Sequence, residues 1–100
     1  MSFRLAVRPE VDAELREAER WYEQQRPGLG AEFLRAASKA MARLPENPYR
    51  YPVRDRRFQV RWSYAKPFPY RIVYRVIQET VVIYTVLHTA RHEHHWQKRV

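Results

Sequence analysis

The stretch YRIVYRVIQETVVIYTVLH, residues 70–88, sets the fold that the rest of the chain must complete. Its first half has the two-residue period of a β-strand with one apolar face. The apolar face carries Tyr70, Ile72, Tyr74 and Val76, and the other face carries Arg71, Val73 and Arg75. The second half, TVVIYTVL at 80–87, is apolar on both faces and predicts an interior strand. Gln78 and Glu79 predict the tight turn that joins the two strands.

Two helices are predicted upstream of this pair of strands. Pro9 suits a first helical turn, and apolar residues then recur at three- and four-residue spacings. The first stripe contains Val11, Leu15, Ala18, Trp21 and Tyr22, and the second contains Leu29, Phe33, Leu34, Ala37, Met41 and Leu44. The stop signals in RPGLG, residues 26–30, separate the stripes and predict an antiparallel helical hairpin. We expect Trp21 and Tyr22 to pack in the core, since both lie on the apolar stripe.

Two further stretches have the two-residue period of strands. SFRLAV, residues 2–7, predicts a short first strand, and RFQVRWSY, residues 57–64, predicts a strand with one apolar and one basic face. The apolar face of the second would carry Phe58, Val60, Trp62 and Tyr64, and the basic face Arg57, Gln59, Arg61 and Ser63. The predicted class is therefore α+β in the order β-α-α-β-β-β, with the helical hairpin packed on a small, curved, mainly antiparallel sheet. We expect residues 1–100 to form a single domain.

The positive charge of the chain is concentrated in one region. The formal net charge is +8, yet residues 1–47 carry eight basic and eight acidic side chains. Residues 50–77 carry eight basic side chains against Asp55 alone. With the helices on the apolar face of the sheet, the opposite face is expected to display Arg57, Arg61, Arg71 and Arg75. Such a field attracts a polyanion or an acidic protein.

Several classes of protein are disfavoured by the composition. The chain has no cysteine, which argues against disulfide or thiolate chemistry and fits the cytoplasm. The N-terminus meets Arg4 and Arg8 before any apolar run, so no signal peptide is predicted. No stretch approaches the roughly 20 apolar residues that span a bilayer, so no membrane partner is expected.

All four histidines of the chain lie within VLHTARHEHHW, residues 86–96. His88 and His92 have the i, i+4 spacing of a metal pair, but no cysteine or carboxylate at a suitable spacing completes a site. We therefore expect no metal and no other cofactor. His88 continues the last strand and emerges beside Arg91, where a structural and a functional role remain equally open. The remaining three, His92, His94 and His95, are expected in a solvated terminal turn, with Trp96 anchoring the tail.

Four stretches together resemble the RelE/ParE superfamily of toxins from type II toxin–antitoxin (plasmid stabilisation) modules. They are AERWYEQQRPGLGAEFL at 18–34, NPYRYP at 47–52, FPYRIVYRV at 68–76 and VLHTARHEHHW at 86–96. The resemblance implies the same β-α-α-β-β-β fold, and a toxin that a cognate acidic antitoxin neutralises in a hetero-oligomer. It also implies one of two targets. RelE-like members cut messenger RNA on the ribosome, whereas ParE-like members poison DNA gyrase.

The resemblance implies different site residues for the two targets. RNA cleavage would use His88 as the proton carrier, and the cations near the phosphate would be Arg61, Arg71 or Arg75, and Arg91. RelE-like sites rely on lysines, whereas the only lysine of this region, Lys66, precedes Pro67 in a turn. The tyrosine that some RelE-like members carry near the C-terminus is also absent from residues 92–100. A ParE-like binding role would use Arg57, Arg61, Arg71, Arg75 and Arg91 to contact the target or the antitoxin.

Three hypotheses follow, and the ParE-like reading is favoured by the long helical hairpin and the VLHTAR ending. In the first, the protein binds and poisons DNA gyrase without chemistry. In the second, it is a ribosome-dependent mRNA endoribonuclease. In the third, it is a nucleic-acid-binding module without toxicity, with salt-sensitive affinity for bare DNA or RNA.

Overall fold

The computed structural model describes residues 2–90 and Arg99. Its elements follow in the order β1 (Arg4–Val7), α1 (Pro9–Gln25), α2 (Leu29–Arg43), β2 (Val53–Asp55), β3 (Val60–Tyr64), β4 (Tyr70–Ile77) and β5 (Thr80–His88), with a 3₁₀ turn at Leu44–Glu46. This is the predicted order with β2 added, a strand of three residues in which no periodicity can show. None of the described helices is long and apolar enough to cross a membrane.

The described strands form one open sheet in the order β1-β5-β4-β3-β2. β1 runs parallel to β5, and the other neighbouring strands pair antiparallel. The predicted α+β class with a mainly antiparallel sheet is thus confirmed. β5 has a neighbour on each side, as its two apolar faces predict. The turn before it also matches the prediction: Gln78 and Glu79 have φ of 47° and 65°, the left-handed pair that a two-residue hairpin turn requires.

The turn of the helical hairpin is held by a carboxylate that reaches across from α1. Glu23 accepts hydrogen bonds from the N–H groups of Gly28 and Gly30, at 3.0–3.1 Å, and so caps the N-terminus of α2. Gly28 has a φ of 88°, which favours glycine. Gly30 lies so close to α1 that a Cβ atom there would come within 2.7 Å of the Glu19 carbonyl oxygen. Gly28 is therefore needed for the conformation of the turn, and Gly30 for the close approach of the helices.

An aromatic cluster joins the helical hairpin to the sheet. Phe33 of α2 is fully buried, and its ring centroid lies 5.0–5.4 Å from those of Tyr22, Phe68 and Tyr70. The predicted core position of Tyr22 is confirmed, but that of Trp21 is wrong, because Trp21 remains 54% exposed. The two residues are adjacent and point about 100° apart on a helix, so only one can face the sheet.

Where β5 continues past its pairing with β1, side chains form hydrogen bonds with its open backbone edge. Glu14 of α1 accepts hydrogen bonds from the Thr85 hydroxyl at 2.8 Å and from the Val86 N–H at 3.1 Å. Arg99 donates to the Tyr84 carbonyl at 2.6 Å and lies 3.3 Å from the Glu14 carboxylate. The C-terminal part of β5 is therefore held by α1 at Thr85 and Val86.

The face of β3 that meets the helices is the opposite of the predicted one. Arg61 pairs with Tyr74, and Trp62 pairs with Val73. Directly opposed residues of an antiparallel pair lie on the same face. Tyr74 belongs to the core beneath the helices, whereas Val73 belongs to a separate cluster on the other side. We call these sides the helix face and the outer face.

The prediction that four arginines share one face is therefore wrong for Arg61, which lies on the helix face. Arg71 and Arg75 lie on the outer face with Val73, and Arg57 lies in the turn at 56–59 before β3. Val60 of β3 is buried all the same and Trp62 is partly buried, because the outer face has a small core of its own. Its members are Val60, Val73, Tyr84 and Leu87, with Phe58, Trp62 and Val82 packed against them.

Candidate functional site

The outer face combines an indole ring with guanidinium groups from two different strands. The Cζ atom of Arg71 lies 4.7 Å from the ring centroid of Trp62, and that of Arg54 lies 5.5 Å from it. Both distances are within the range of a cation–π interaction. Trp62 thus holds a cation from β2 and a cation from β4 on the same surface.

Arg71 and Arg75 are half-buried, and each has a donor that lacks a partner. The Nε atoms of both side chains are buried and make no hydrogen bond with the described part of the chain. Neither guanidinium forms an ion pair with a carboxylate of residues 2–90. A buried donor without an acceptor costs roughly 1–3 kcal/mol. An anionic partner on this face would supply the acceptors.

The single acidic residue of the basic region does not neutralise it. Asp55 accepts a hydrogen bond from the Phe58 N–H at 3.1 Å and so holds the turn between β2 and β3. Arg57 is exposed in this turn, with its Cζ atom 5.0 Å from the ring centroid of Phe58. The outer face and its neighbouring turn thus display Arg54, Arg57, Arg71 and Arg75. We call these four residues the outer basic surface.

Arg61 forms hydrogen bonds with the backbone of a neighbouring loop. It donates from Nη1 to the Tyr51 carbonyl and, at 3.4 Å, to the Tyr49 carbonyl. Its Cζ atom lies 5.2 Å from the ring centroid of Tyr49. Tyr74, its neighbour on the helix face, donates its hydroxyl to the Pro48 carbonyl at 2.6 Å. Together the two side chains fix the loop at 47–51 on the sheet.

His88 ends β5 beside an aromatic ring. Its imidazole packs edge-on against Tyr70, with ring centroids 5.3 Å apart. Its Nδ1 accepts the Ala90 N–H at 3.0 Å, so the proton of the neutral ring is on Nε2. Because it opposes Tyr70 in the register, His88 lies on the helix face, away from Arg71 and Arg75.

The structure does not bring His88 and Arg61 together. Along β4, His88 pairs at Tyr70 and Arg61 pairs at Tyr74. The four-residue step from Tyr70 to Tyr74 separates His88 from Arg61 by about 13 Å along the strands. Because β4 lies between β3 and β5, the two residues are also about 10 Å apart across the sheet. Arg91 and the histidines at 92, 94 and 95 lie outside the described residues, as does Trp96. The roles predicted for them, and the expected absence of a metal, therefore remain predictions.

Sequence reasoning missed Arg54, and it placed Trp62 on the wrong face. Arg54 was missed because the three-residue β2 is not visible in the alternation of residues, and Trp62 was misplaced because the register of β3 with β4 is not. It also missed Tyr74 as a polar anchor, although a tyrosine at a fully buried position must pair its hydroxyl.

Burial raises the pKa of Tyr74 to about 12, which has a measurable consequence. The contribution of Tyr74 to stability is fully present below the unfolded-state pKa of about 10 and is lost as the pH rises through 12. The free energy of unfolding should fall by about 2–3 kcal/mol over this range. We expect Tyr74→Phe to remove this loss, and to cost about 1–3 kcal/mol at neutral pH by leaving the Pro48 carbonyl unpaired. Urea unfolding at neutral and alkaline pH measures both effects.

The control for this prediction is Tyr49→Phe, because Tyr49 is 56% exposed. It should change neither the stability at neutral pH nor its decline at alkaline pH. An alkaline decline of the same size in Tyr74→Phe and in the unsubstituted protein would contradict the assignment to Tyr74.

Solved structures of other proteins share this fold. Eight solved chains match the structure. One of them is a double arginine-to-alanine mutant of the E. coli toxin RelE in the free state, with a TM-score of 0.71 and 20% sequence identity. The match covers 100% of this chain and 99% of the other. At this identity the likeness shows the fold alone.

The sequence itself identifies the family. The model described as the ParE toxin of the type II toxin–antitoxin system parDE matches residues 5–93. The chain therefore belongs to the ParE toxin family, and it is the toxin of a type II toxin–antitoxin system with an antitoxin as its partner. The predicted membership of the RelE/ParE superfamily is confirmed. A search of curated protein sequences finds no significant match.

Proposed function

We propose that the protein inhibits growth in the cytoplasm by binding and poisoning DNA gyrase, without catalysing RNA cleavage. A cognate acidic antitoxin neutralises it. The observation that carries the proposal is the separation of His88 from Arg61. General acid–base catalysis requires groups within hydrogen-bond reach of the same reacting atoms. Here the proton carrier stands more than about 10 Å along the strands from Arg61, one of the cations proposed for RNA cleavage.

The state of Arg61 supports the same proposal. Its guanidinium already donates to two backbone carbonyls of the loop at 47–51. Both hydrogen bonds use Nη1, so Arg61 can offer a scissile phosphate only the donors on Nε and Nη2 while it holds the loop. A binding role on the outer basic surface meets no such restriction, because the Nε donors of Arg71 and Arg75 have no acceptor within the described part of the chain.

The variant His88→Gln separates the two toxin mechanisms. We expect it to inhibit growth, and gyrase supercoiling in vitro, about as strongly as the unsubstituted protein, because no proton has to move. An endoribonuclease would instead lose roughly 10²- to 10⁴-fold in rate with its proton carrier. Each protein is expressed without antitoxin while colony counts, messenger RNA integrity and plasmid supercoiling are followed. Circular dichroism confirms that the variant is folded.

Two results would contradict the proposal. The first is rapid cleavage of messenger RNA by the unsubstituted protein, with growth restored in His88→Gln. The second is binding to DNA or RNA that weakens steeply with salt and has no effect on growth, which would indicate a plain nucleic-acid-binding module.

A further inference from the structure

A second basic feature lies on the other side of the molecule, away from the outer basic surface. A cavity of about 660 Å³ opens between the C-terminal end of α2, the loop at 47–51 and the turn at 65–69. Its lining includes four basic residues and two tyrosines: Lys39, Arg43, Arg50, Lys66, Tyr51 and Tyr64. We call it the α2 cleft.

The cations of the α2 cleft come from three separate segments and are not neutralised within it. Glu46 is the one carboxylate of its lining. None of the four cations forms an ion pair with a carboxylate in the described part of the chain. Arg43 has a favourable position in the last turn of α2, near the negative end of the helix dipole. Arg50 and Lys66 lie outside any helix, so that explanation does not extend to them.

Hydrogen bonds from two side chains of the sheet hold the wall of the α2 cleft that the loop at 47–51 forms. Arg61 donates to the carbonyls of Tyr49 and Tyr51, and Tyr74 donates to that of Pro48. These hydrogen bonds hold the loop that presents Arg50 to the cavity. A binding group positioned before the ligand arrives loses less conformational entropy on binding. Arg61 and Tyr74 thus act as positioning residues for this wall.

We propose that the α2 cleft binds the phosphate groups of a nucleotide. Arginine forks bind phosphate oxygens in bidentate fashion, and lysines add point charges. Tyr51, which packs against the core on the helix face, offers apolar surface to a base, and the volume lies in the range of small-molecule sites. A concave site with convergent cations suits a compact phosphate better than an extended acidic peptide. The inference is independent of the gyrase proposal.

Calorimetry on the full chain tests the proposal, with adenosine triphosphate and adenosine as probes at about 0.15 M salt. We expect saturable binding of the triphosphate and none of the nucleoside. Arg43→Gln combined with Arg50→Gln should weaken binding at least tenfold. The matched control is Arg4→Gln combined with Arg20→Gln, which removes the same charge from exposed positions outside the cleft. It should retain the affinity.

A second pair of probes distinguishes the source of the phosphate. Short single-stranded DNA is compared with and without a 5′-phosphate. A preference for the phosphorylated strand that disappears in the cleft variant, without binding of the free nucleotide, assigns the site to strand ends. The proposal is overturned if adenosine binds as well as its triphosphate, if the control variant loses as much affinity as the cleft variant, or if neither phosphorylated probe binds saturably.

Discussion

Replacing Arg71 and Arg75 together by glutamine should abolish growth inhibition while the protein stays folded. Both side chains lie half-buried on the outer face, and no acceptor among residues 2–90 or Arg99 pairs with their Nε donors. A target or antitoxin carboxylate that paired with them would be left buried and unpaired in the variant. Such losses cost about 2–5 kcal/mol, which corresponds to roughly 30- to 4,000-fold in affinity.

The experiment needs a control for charge and a control for folding. Arg4→Gln with Arg20→Gln removes the same two charges from exposed positions and should leave toxicity intact. Lysine at positions 71 and 75 keeps the charge without the fork and should restore only part of the activity. The variants are compared by colony counts after expression without antitoxin, and by circular dichroism melts. Full toxicity of a folded glutamine double variant would rule out the outer basic surface as the target-binding surface.

The fold was predictable where the physical signal is local. The helical hairpin depends on Pro9, on the two glycines of RPGLG and on stripes three or four residues apart, all of which can be read from neighbouring residues. The turn at Gln78 and Glu79 lies between an alternating strand and a strand that is apolar on both faces. Its position could therefore also be predicted from the sequence. These features need no knowledge of which strands pair.

The site was less predictable because it depends on pairing and on which face the helices cover. β3 alternates correctly, yet alternation alone does not say which side meets the helices. The usual assumption is that the apolar side does. Here the outer face has its own apolar cluster, and the register with β4 turns Arg61 inwards and Trp62 outwards. A slip of one residue exchanges the two faces of a strand, so a local pattern could not have fixed this outcome.

The aromatic cluster between the helical hairpin and the sheet gives the largest expected effect on stability. Phe33 is fully buried, and its ring packs against Tyr22, Phe68 and Tyr70. Phe33→Ala removes this contact surface and leaves a cavity, which typically costs 3–5 kcal/mol. The total free energy of unfolding of a domain of this size is roughly 5–15 kcal/mol. We therefore expect the midpoint of thermal unfolding to fall by more than about 12 °C.

Trp21→Ala is the matched test of the corrected face of α1. Trp21 is 54% exposed, and its ring contacts Tyr22 edge-on at 5.1 Å. We expect its removal to cost less than about 1 kcal/mol, within the range of an exposed aromatic pair. Chemical denaturation of both variants measures the difference. If Trp21→Ala proved as destabilising as Phe33→Ala, Trp21 would belong to the core, and the apolar stripe read from the sequence would be correct after all.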